Sequence, residues 1–526
     1  MNINNYYDVV IVGAGPCGVT SANLLGKYGL SVLVIEKEAD ILPIPRAIGI
    51  CEEGSRVIQA TGVLEQLTDS FHPIDKVHFV NKQQESACHL NLENNRNGYP
   101  ELSTFFQPQL EEKVREGLQR FSKVEMISCA ELVDFSDSGH QVAITLRHDN
   151  KLIQTRCRYL FGCDGARSDI RKRLDIDFTG STYPEDWMIL DVKNNPVPSN
   201  DVVFSIDPDR PSVSLPGPDG IRRWEFLVKK DENIDELFSK QNLKKLLENW
   251  GDIDDMELHR QAIYTFHARI AKQFRRGNVF LLGDAAHITP PFAGQGMMAG
   301  LRDAHNLCWK IAAVVQGQVS QKILDSYEIE RHPQCKQIID IAQRMGNMIL
   351  PQSKWVAGFR DTVIKLTAYL GIHSADKGLP FSKVANNING SMTRNFLISK
   401  FMKVGFEFPQ FLIKNPQGEK QLFDDATKGN FLVLSWGTNV MNILDNKTIN
   451  RWRKIGGSLA SFNLDSVSGQ GQDDLSLSDE NNHYRDFFFK GKRVVVIRPD
   501  KMVVINCKRS QLNQRLNQYL DQVSLA

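Results

Sequence analysis

Tyr7-Asp8-Val9-Val10-Ile11-Val12-Gly13-Ala14-Gly15-Pro16-Cys17-Gly18 is the stretch from which the fold can be read. The run Tyr7 to Val12 has the near-continuous apolar character of a strand buried on both faces of a parallel sheet. It leads directly into a GxGxxG turn. Val19, Ala22, Leu25 and Gly26 then recur at helical spacing, and Ser31 to Ile35 reads as a second buried strand ending at Glu36. Each part has a physical task. Gly13 permits a tight turn, Gly15 lets the backbone approach a pyrophosphate, and Gly18 lets helix and strand pack closely. The helix that starts at Pro16 offers free N–H groups to the phosphate charge. Glu36 follows the glycines by roughly 20 residues, where a carboxylate can accept from ribose hydroxyls. It disfavours an added ribose phosphate, so FAD or NAD fits better than NADP. A lone GxGxxG is a weak signal, but strand, glycines, helix, strand and acid in this order are a strong one. Cys17 fills a variable position of the motif and reads as a small packed thiol.

Beyond this unit, 526 residues at roughly 150 per domain suggest about three domains. A net charge of +1 excludes a general nucleic-acid binder, which needs a basic surplus to displace counterions. No run of 18 apolar residues is present to span a membrane. Met1 to Tyr7 carries no basic region of the signal-peptide kind. Nine cysteines without a CxxC pair fit reduced thiols in a cytoplasm. No metal-ligand spacing is read.

Two further motifs choose between FAD and NAD. Tyr159-Leu160-Phe161-Gly162-Cys163-Asp164-Gly165-Ala166-Arg167-Ser168 is an apolar strand entering a D-G turn, with Ser168 placed to cap a basic helix. Asn278-Val279-Phe280-Leu281-Leu282-Gly283-Asp284-Ala285-Ala286-His287 is another buried strand ending in G-D. Pro290-Pro291-Phe292-Ala293-Gly294-Gln295-Gly296-Met297-Met298 follows it, and then a helix with Leu301, Ala304, Leu307, Cys308, Ile311 and Val315 on one face.

In this order and at these distances the three motifs resemble those of the class A flavin-dependent aromatic hydroxylases of the para-hydroxybenzoate hydroxylase fold. The likeness is to the branch that includes 3-(3-hydroxyphenyl)propionate hydroxylase and phenol hydroxylase. Pro45-Arg46-Ala47, Phe106 to Glu111, Gly300 to Leu307 and Tyr327 to Pro333 are similar as well. The likeness covers about residues 5 to 345 well and continues more weakly beyond. It implies that Glu36 binds the adenosine ribose, that Arg46 and Gln107 lie along the ribityl and phosphate side, and that Asp284 holds ribityl hydroxyls. It also implies that Asp164-Gly165 serves pyrophosphate binding and that Pro291 to Met298 passes beside the isoalloxazine ring. The implied cofactor set is Gly13, Gly15, Pro16, Gly18, Glu36, Lys37, Arg46, Gln107, Asp164, Gly283, Asp284, Pro291, Gly294, Gly296, Met297 and Met298. Of Met297 and Met298 only the backbone N–H groups at the helix start are claimed, to stabilise negative charge on reduced flavin. His287 belongs to the G-D-A-A-H run and reads as structural, and Cys163 as a buried small residue.

The resemblance implies an α/β fold: a Rossmann-type FAD-binding domain, an inserted antiparallel β-sheet substrate domain and a C-terminal thioredoxin-like domain. FAD-binding segments are expected at 1–75, 101–180 and 269–375, substrate-domain strands at 76–100 and 181–268, a linker at 376–400 and the last domain at 401–526. Strands are expected at Asp186 to Val192, Val202 to Ile206 and Arg222 to Val228. Substrate-facing candidates are Met188, Leu190, Phe204, Trp224, Phe226 and Pro291, although alternate strand residues point to opposite faces. Pro380 to Asn389 is largely polar, and Asp465 to Asn482 reads as a flexible loop. Phe431 to Trp436, Arg493 to Ile497 and Met502 to Ile505 read as strands, with Arg498-Pro499-Asp500 opening a hairpin. Thioredoxin chemistry needs a paired thiol. Cys507 stands alone, so this domain is expected to be structural or to form a homodimer.

The implied activity is hydroxylation of an aromatic, phenolic small molecule. NAD(P)H (NADH or NADPH, left open) reduces FAD, and O2 then gives a flavin C4a-hydroperoxide that the ring attacks. A phenol reacts faster as phenolate, so a proton acceptor is expected near its hydroxyl; spacing does not identify it, and the catalytic residues stay unassigned. Two alternatives stay open at this point. One is a monooxygenase of a bulky antibiotic or polyketide-like substrate. The other is a non-catalytic flavin-binding sensor or scaffold.

Overall fold

The computed structural model describes residues 3–350 and 404–524 together with 358 and 362, except 44, 93–96, 196, 198, 416, 464–473 and 489–491. The 376–400 linker and Pro380 to Asn389 lie outside the described residues.

The opening strand, Tyr7–Val12, sits in the middle of an eight-stranded sheet. Val32–Ile35 pairs parallel on one side and Lys151–Gly162 parallel on the other. Val124–Ile127 and Val279–Leu281 extend the parallel set outward. Both faces are covered, which is why Val32–Ile35 and Val279–Leu281 are buried at every position. An antiparallel meander, Ala130–Asp137 and Val142–His148, leads into Lys151–Gly162. Helix Pro16–Lys27 packs beside the long helix Gly296–Val315.

A second eight-stranded sheet runs in the order His287–Ile288, Glu257–Ala271, Phe178–Lys193, Arg222–Leu227, Ser212–Pro216, Val202–Ser205, Lys76–Val80, Ser86–Asn91. The expected all-antiparallel character needs one correction, because Val202–Ser205 pairs parallel with Lys76–Val80. Three strands escaped the sequence reading: Ser212–Pro216, the two-residue His287–Ile288 and the 15-residue Glu257–Ala271. The last pairs along nearly the whole of Phe178–Lys193 and shares its two bulges. Polar residues at its exposed positions conceal the alternation that marks a strand.

The C-terminal residues form a five-stranded sheet. Leu475–Leu477, Gly457–Phe462 and Phe431–Trp436 are mutually parallel, and the hairpin Arg493–Ile497 with Val503–Lys508 adds antiparallel to Phe431–Trp436. Leu475–Leu477 corrects the expectation of a flexible loop from Asp465 to Asn482: a polar composition hid a short edge strand. One face of this sheet joins the main core, with Phe431 edge-on to Trp309 at 5.2 Å. Charge also bridges the junction. Arg498 donates to both oxygens of Glu330 at 2.6 and 2.9 Å, and Lys310 and Asn306 donate to the same carboxylate at 2.8 and 2.7 Å. Burial opposes the charge of Glu330, but Arg498 and Lys310 outweigh it and hold this carboxyl well below its usual range.

Candidate functional site

The glycine turn is shaped by contacts on two sides and open space on the third. Gly13 has φ +102°, and a Cβ there would lie 2.3 Å from the Cys163 carbonyl oxygen. A Cβ at Gly18 would lie 1.9 Å from the Gly13 carbonyl oxygen, whereas one at Gly15 would meet nothing within 4 Å. Open space therefore begins at Gly15, where helix Pro16–Lys27 starts with its first N–H groups free of intrahelical partners. Glu36 is buried; its Oε2 accepts from Ala14 N–H at 2.6 Å and its Oε1 from Glu38 N–H at 3.0 Å. Lys37 beside it is exposed and pairs loosely with Glu38 at 3.7 Å.

Helix Gln107–Glu116 braces the opposite wall. Gln107 Oε1 accepts from the backbone N–H groups of Arg46 at 3.0 Å and Ala47 at 2.6 Å, and its Nε2 donates to Glu111 at 2.8 Å. The amide of Gln107 is thus committed to holding the Pro45–Ala47 segment, while the Arg46 side chain is exposed. Arg115, four residues beyond Glu111 on the same helix face, donates to the Ala14 carbonyl at 2.8 Å, and its Nε is buried without a partner. The sequence reading missed Arg115; the spacing Gln107, Glu111, Arg115 was the available signal.

Asp164 and Asp284 complete this side. Asp164 Oδ2 accepts from Ile170 N–H at 3.1 Å, but Oδ1 is buried and unpartnered. Burial raises its carboxyl above the usual range, against the hydrogen bonds from Ser168 and nearby backbone. Asp284 opens into the cleft with no hydrogen bond among the described residues. Enclosure by protein raises it too, and His287 and Arg46 offset part of the rise. Behind it, Asp303 accepts from Gly283 N–H at 3.0 Å, His287 Nε2 at 2.6 Å and Arg331 Nε at 2.7 Å. Burial opposes charge on His287, but Cys335 and Asp303 outweigh it and raise the imidazole above its usual range. Cys335 completes a His287, Asp303, Cys335 grouping that could hold a metal ion, but Arg331 already supplies the positive charge there.

The segment Pro290 to Met298 crosses from this cleft to the second sheet. Gly294 has φ +61°, a left-handed turn that a Cβ would strain. Gln295 Oε1 is buried without a partner, and the long helix begins at Gly296, so the N–H groups of Gly296, Met297 and Met298 point out of its first turn. The Met298 side chain packs against Gly54. Pro291 is exposed. Phe292 is buried edge-on against Trp187 at 5.9 Å, Phe266 at 5.8 Å and Tyr183 at 5.6 Å.

This contact identifies the face of the second sheet that meets the cleft. Three cross-strand rows lie on it: Tyr264, Trp187 and Leu227; then Ala262, Ile189 and Glu225; then Arg260, Asp191 and Arg223. The last row is tied to the cofactor side, because Arg260 donates to the Pro45 carbonyl at 2.8 Å. Arg223 grips both oxygens of Asp191 at 2.6 and 2.8 Å. The substrate-facing candidates need correcting here. Met188, Leu190, Trp224 and Phe226 lie on the opposite face, packed against Leu237, Leu243, Leu247, Ile253 and Met256. Phe204 lies on the cleft side, stacked on Phe79 at 5.2 Å. Along Arg222–Leu227 the alternation puts Trp224 and Phe226 on the far face and Arg223 and Glu225 on the face that Phe292 meets.

The arrangement fits FAD. Open space lies at Gly15, Asp164, Asp284 and Gln295 carry acceptors without a partner among the described residues, and a helix N-terminus begins at Gly296.

Residues 6–342 match the FAD binding domain family, and residues 405–522 match the HcaD C-terminal domain. The 3-(3-hydroxy-phenyl)propionate/3-hydroxycinnamic acid hydroxylase of Escherichia coli is 33% identical over 531 residues, covering 99% of this chain and 96% of the relative. The protein of the same name from Shigella sonnei gives the same values. Among solved structures, the flavin-dependent monooxygenase PieE in complex with FAD and substrate has a TM-score of 0.81 at 18% identity, covering 99% of this chain and 100% of that one. Aklavinone-11 hydroxylase with FAD and aklavinone has a TM-score of 0.75 at 21% identity, with the same coverage. At these identities the structural likeness speaks for the fold alone.

Proposed function

This chain belongs to the FAD-binding-domain family and is an FAD-dependent aromatic hydroxylase that uses NAD(P)H and O2; on that premise we propose that its substrate is a single-ring phenol of the 3-(3-hydroxyphenyl)propionate kind. The hydroxylase names of the relatives overturn the reading of a non-catalytic sensor or scaffold. The observation that carries the substrate proposal is the cleft-side face of the second sheet. It joins an aromatic wall, Trp187, Phe266 and Phe292, to a row of paired arginines.

FAD, when bound and reduced, supplies the oxygen activation. The chain's residues do the rest. Gly15 and the helix behind it receive the pyrophosphate, with Arg46 and Arg115 adding positive charge. Glu36 and Lys37 stand at the adenosine end. Asp164 and Asp284 present carboxylates to hydroxyl donors, and the N–H groups of Met297 and Met298 favour negative charge on the ring. Phe292 and Trp187 close the substrate side against water.

The finer architecture follows the same reading. The second sheet is a substrate layer inserted into the FAD-binding unit. The C-terminal sheet is thioredoxin-like without thiol chemistry: its lone Cys507 is buried, and burial pushes the thiol up. No helix among the described residues is long and apolar enough to cross a membrane, and we place the enzyme in the cytoplasm as a homodimer, which light scattering tests.

The test of function is anaerobic reduction of the holoenzyme by NADH and by NADPH, with and without 3-(3-hydroxyphenyl)propionate. Substrate-accelerated bleaching of the flavin is expected. Protein that stays colourless with excess FAD, or bleaching that no phenol accelerates, rejects the proposal.

A further inference from the structure

We propose that Glu225 is the proton acceptor for the substrate's phenolic hydroxyl. The inference rests on the phenol reading above and names the group that chemistry requires and spacing could not identify. Glu225 occupies the middle row of the cleft-side face, opposite Ile189 on one strand and Val213 on the other. It lies between the two points where the FAD-binding part touches this sheet, Phe292 against Trp187 in one row and the Pro45 carbonyl on Arg260 in the other. A ring held between those points has this carboxylate within its own layer.

Glu225 also differs from the charged groups around it. Arg223 and Asp191 are paired, and Arg260 is bonded to Pro45 and Tyr264. Glu225 has no hydrogen bond or ion pair among the described residues, and part of its surface is open. A carboxylate enclosed by Ile189 and Val213 and left without a donor is costly unless something supplies one. A phenol O–H is such a donor. The groups facing Glu225 are Arg223 on its own strand, Asp191 on the next, and Arg260 and Tyr264 on the third. Burial raises its carboxyl, Asp191 adds to the rise, and Arg223 and Arg260 offset part of it.

The step balances without a redox partner. The phenol O–H bond breaks, its proton bonds to a Glu225 oxygen, and the electron pair stays on the phenolate. Arg223 and Arg260 lie beside the new negative charge. The ring is then electron-rich enough to attack electrophilic oxygen. The sign of the pH dependence follows. Only ionised Glu225 can accept, so an un-ionised phenol is bound and turned over better as pH rises through a carboxyl titration lying above the usual range.

The experiment compares wild type, Glu225→Gln and Glu225→Asp with two ligands. One is 3-(3-hydroxyphenyl)propionate. The other is its ring-fluorinated analogue, assayed where its phenol is already ionised in solution. In Glu225→Gln, kcat/KM for the first should fall by about 100-fold or more, whereas the second should lose less than about threefold. Glu225→Asp should recover part of the first loss. A readout without turnover is the affinity of oxidised wild-type holoenzyme for plain phenol against pH: binding should strengthen across the acid limb in wild type and stay flat in Glu225→Gln. Equal losses for both ligands, or a loss below about threefold for the un-ionised one, would overturn the assignment. So would a flat profile in wild type, which needs no variant to fold. Stimulation of wild type by phenols with no effect of Glu225→Gln sinks this proposal alone. Absence of stimulation in wild type sinks the substrate reading with it.

Discussion

The two faces of the second sheet are built from the same strands and do opposite things. Along Phe178–Lys193, Trp187, Ile189 and Asp191 point to the cleft, while Met188, Leu190 and Val192 point away. The far face is mostly apolar and sealed by helix Lys240–Leu247 and by Trp250, which meets Trp224 at 6.2 Å; its buried Arg222 donates to Ser214 and to the Ser199 and Asp201 carbonyls. The cleft face carries Asp191, Arg223, Glu225 and Arg260 among Ile189, Val213 and Phe292. Packing and the hydrogen bonds of Arg222 explain the first face. On the second, Asp191, Arg223 and Arg260 satisfy one another and the Pro45 carbonyl, and Glu225 is the charged group left without a donor among the described residues, a burial that costs stability unless something supplies one.

If that contrast is right, injuring the far face should unfold the protein without altering its chemistry. Trp224 is fully buried, and Trp224→Ala should lower stability by about 3–5 kcal/mol. Urea denaturation measures this. In the fraction that stays folded, KM for the phenol should hold within about twofold. A large KM change with little loss of stability would reverse the assignment of faces.

The cleft face should fail differently. Asp191→Asn leaves Arg223 and Arg260 without their carboxylate and should cost about 1.5–3 kcal/mol, less than Trp224→Ala. Its second effect separates the faces. Arg260 also holds the Pro45 carbonyl, so the Pro45–Ala47 segment should loosen and FAD should be retained less well. Flavin fluorescence released on dilution reports that loss. Weakened FAD retention in Trp224→Ala, or none in Asp191→Asn, would blur the distinction.

The sequence showed one face of this problem and hid the other. Tyr7 to Gly18 was legible because a doubly buried strand and an obligatory glycine turn leave local marks that no tertiary context overrides. The buried strand before Asp284 and the helix that starts at Gly296 were legible for the same reason. Arg222–Leu227 was not. Its alternation of Arg223 and Glu225 with Trp224 and Phe226 reads as water on one side and core on the other. Nothing local states that the polar side faces an enclosed cleft, because the cleft is closed by Phe292 and Pro45, distant in sequence. The motif Tyr327 to Pro333 is similar. Its neighbouring residues serve opposite ends of the molecule: Arg331 bonds Asp303 beneath the cofactor turn, and Glu330 bonds Arg498 of the C-terminal sheet. Spacing marks such a run but cannot assign each residue its partner.

The smallest expected effect is the sharpest comparison. Ile189 on the cleft face and Ile263 on the far face can each lose one methylene by change to valine. Ile189→Val should cost about 0.5–1.5 kcal/mol and half-buried Ile263→Val less, so stability hardly separates them. Chemistry should. Ile189 stands directly opposite Glu225, and the methylene it gives up belongs to the wall that excludes water beside the reacting ring. Ile189→Val should raise KM for the phenol by about threefold or more. It should also raise the share of NAD(P)H oxidised to hydrogen peroxide rather than product, since water reaches the activated oxygen before the ring does. Ile263→Val should change neither. Oxygen and peroxide electrodes run beside product analysis resolve the two, and matching peroxide yields from the two variants would mean that the cleft does not lie where Phe292 and Pro45 place it.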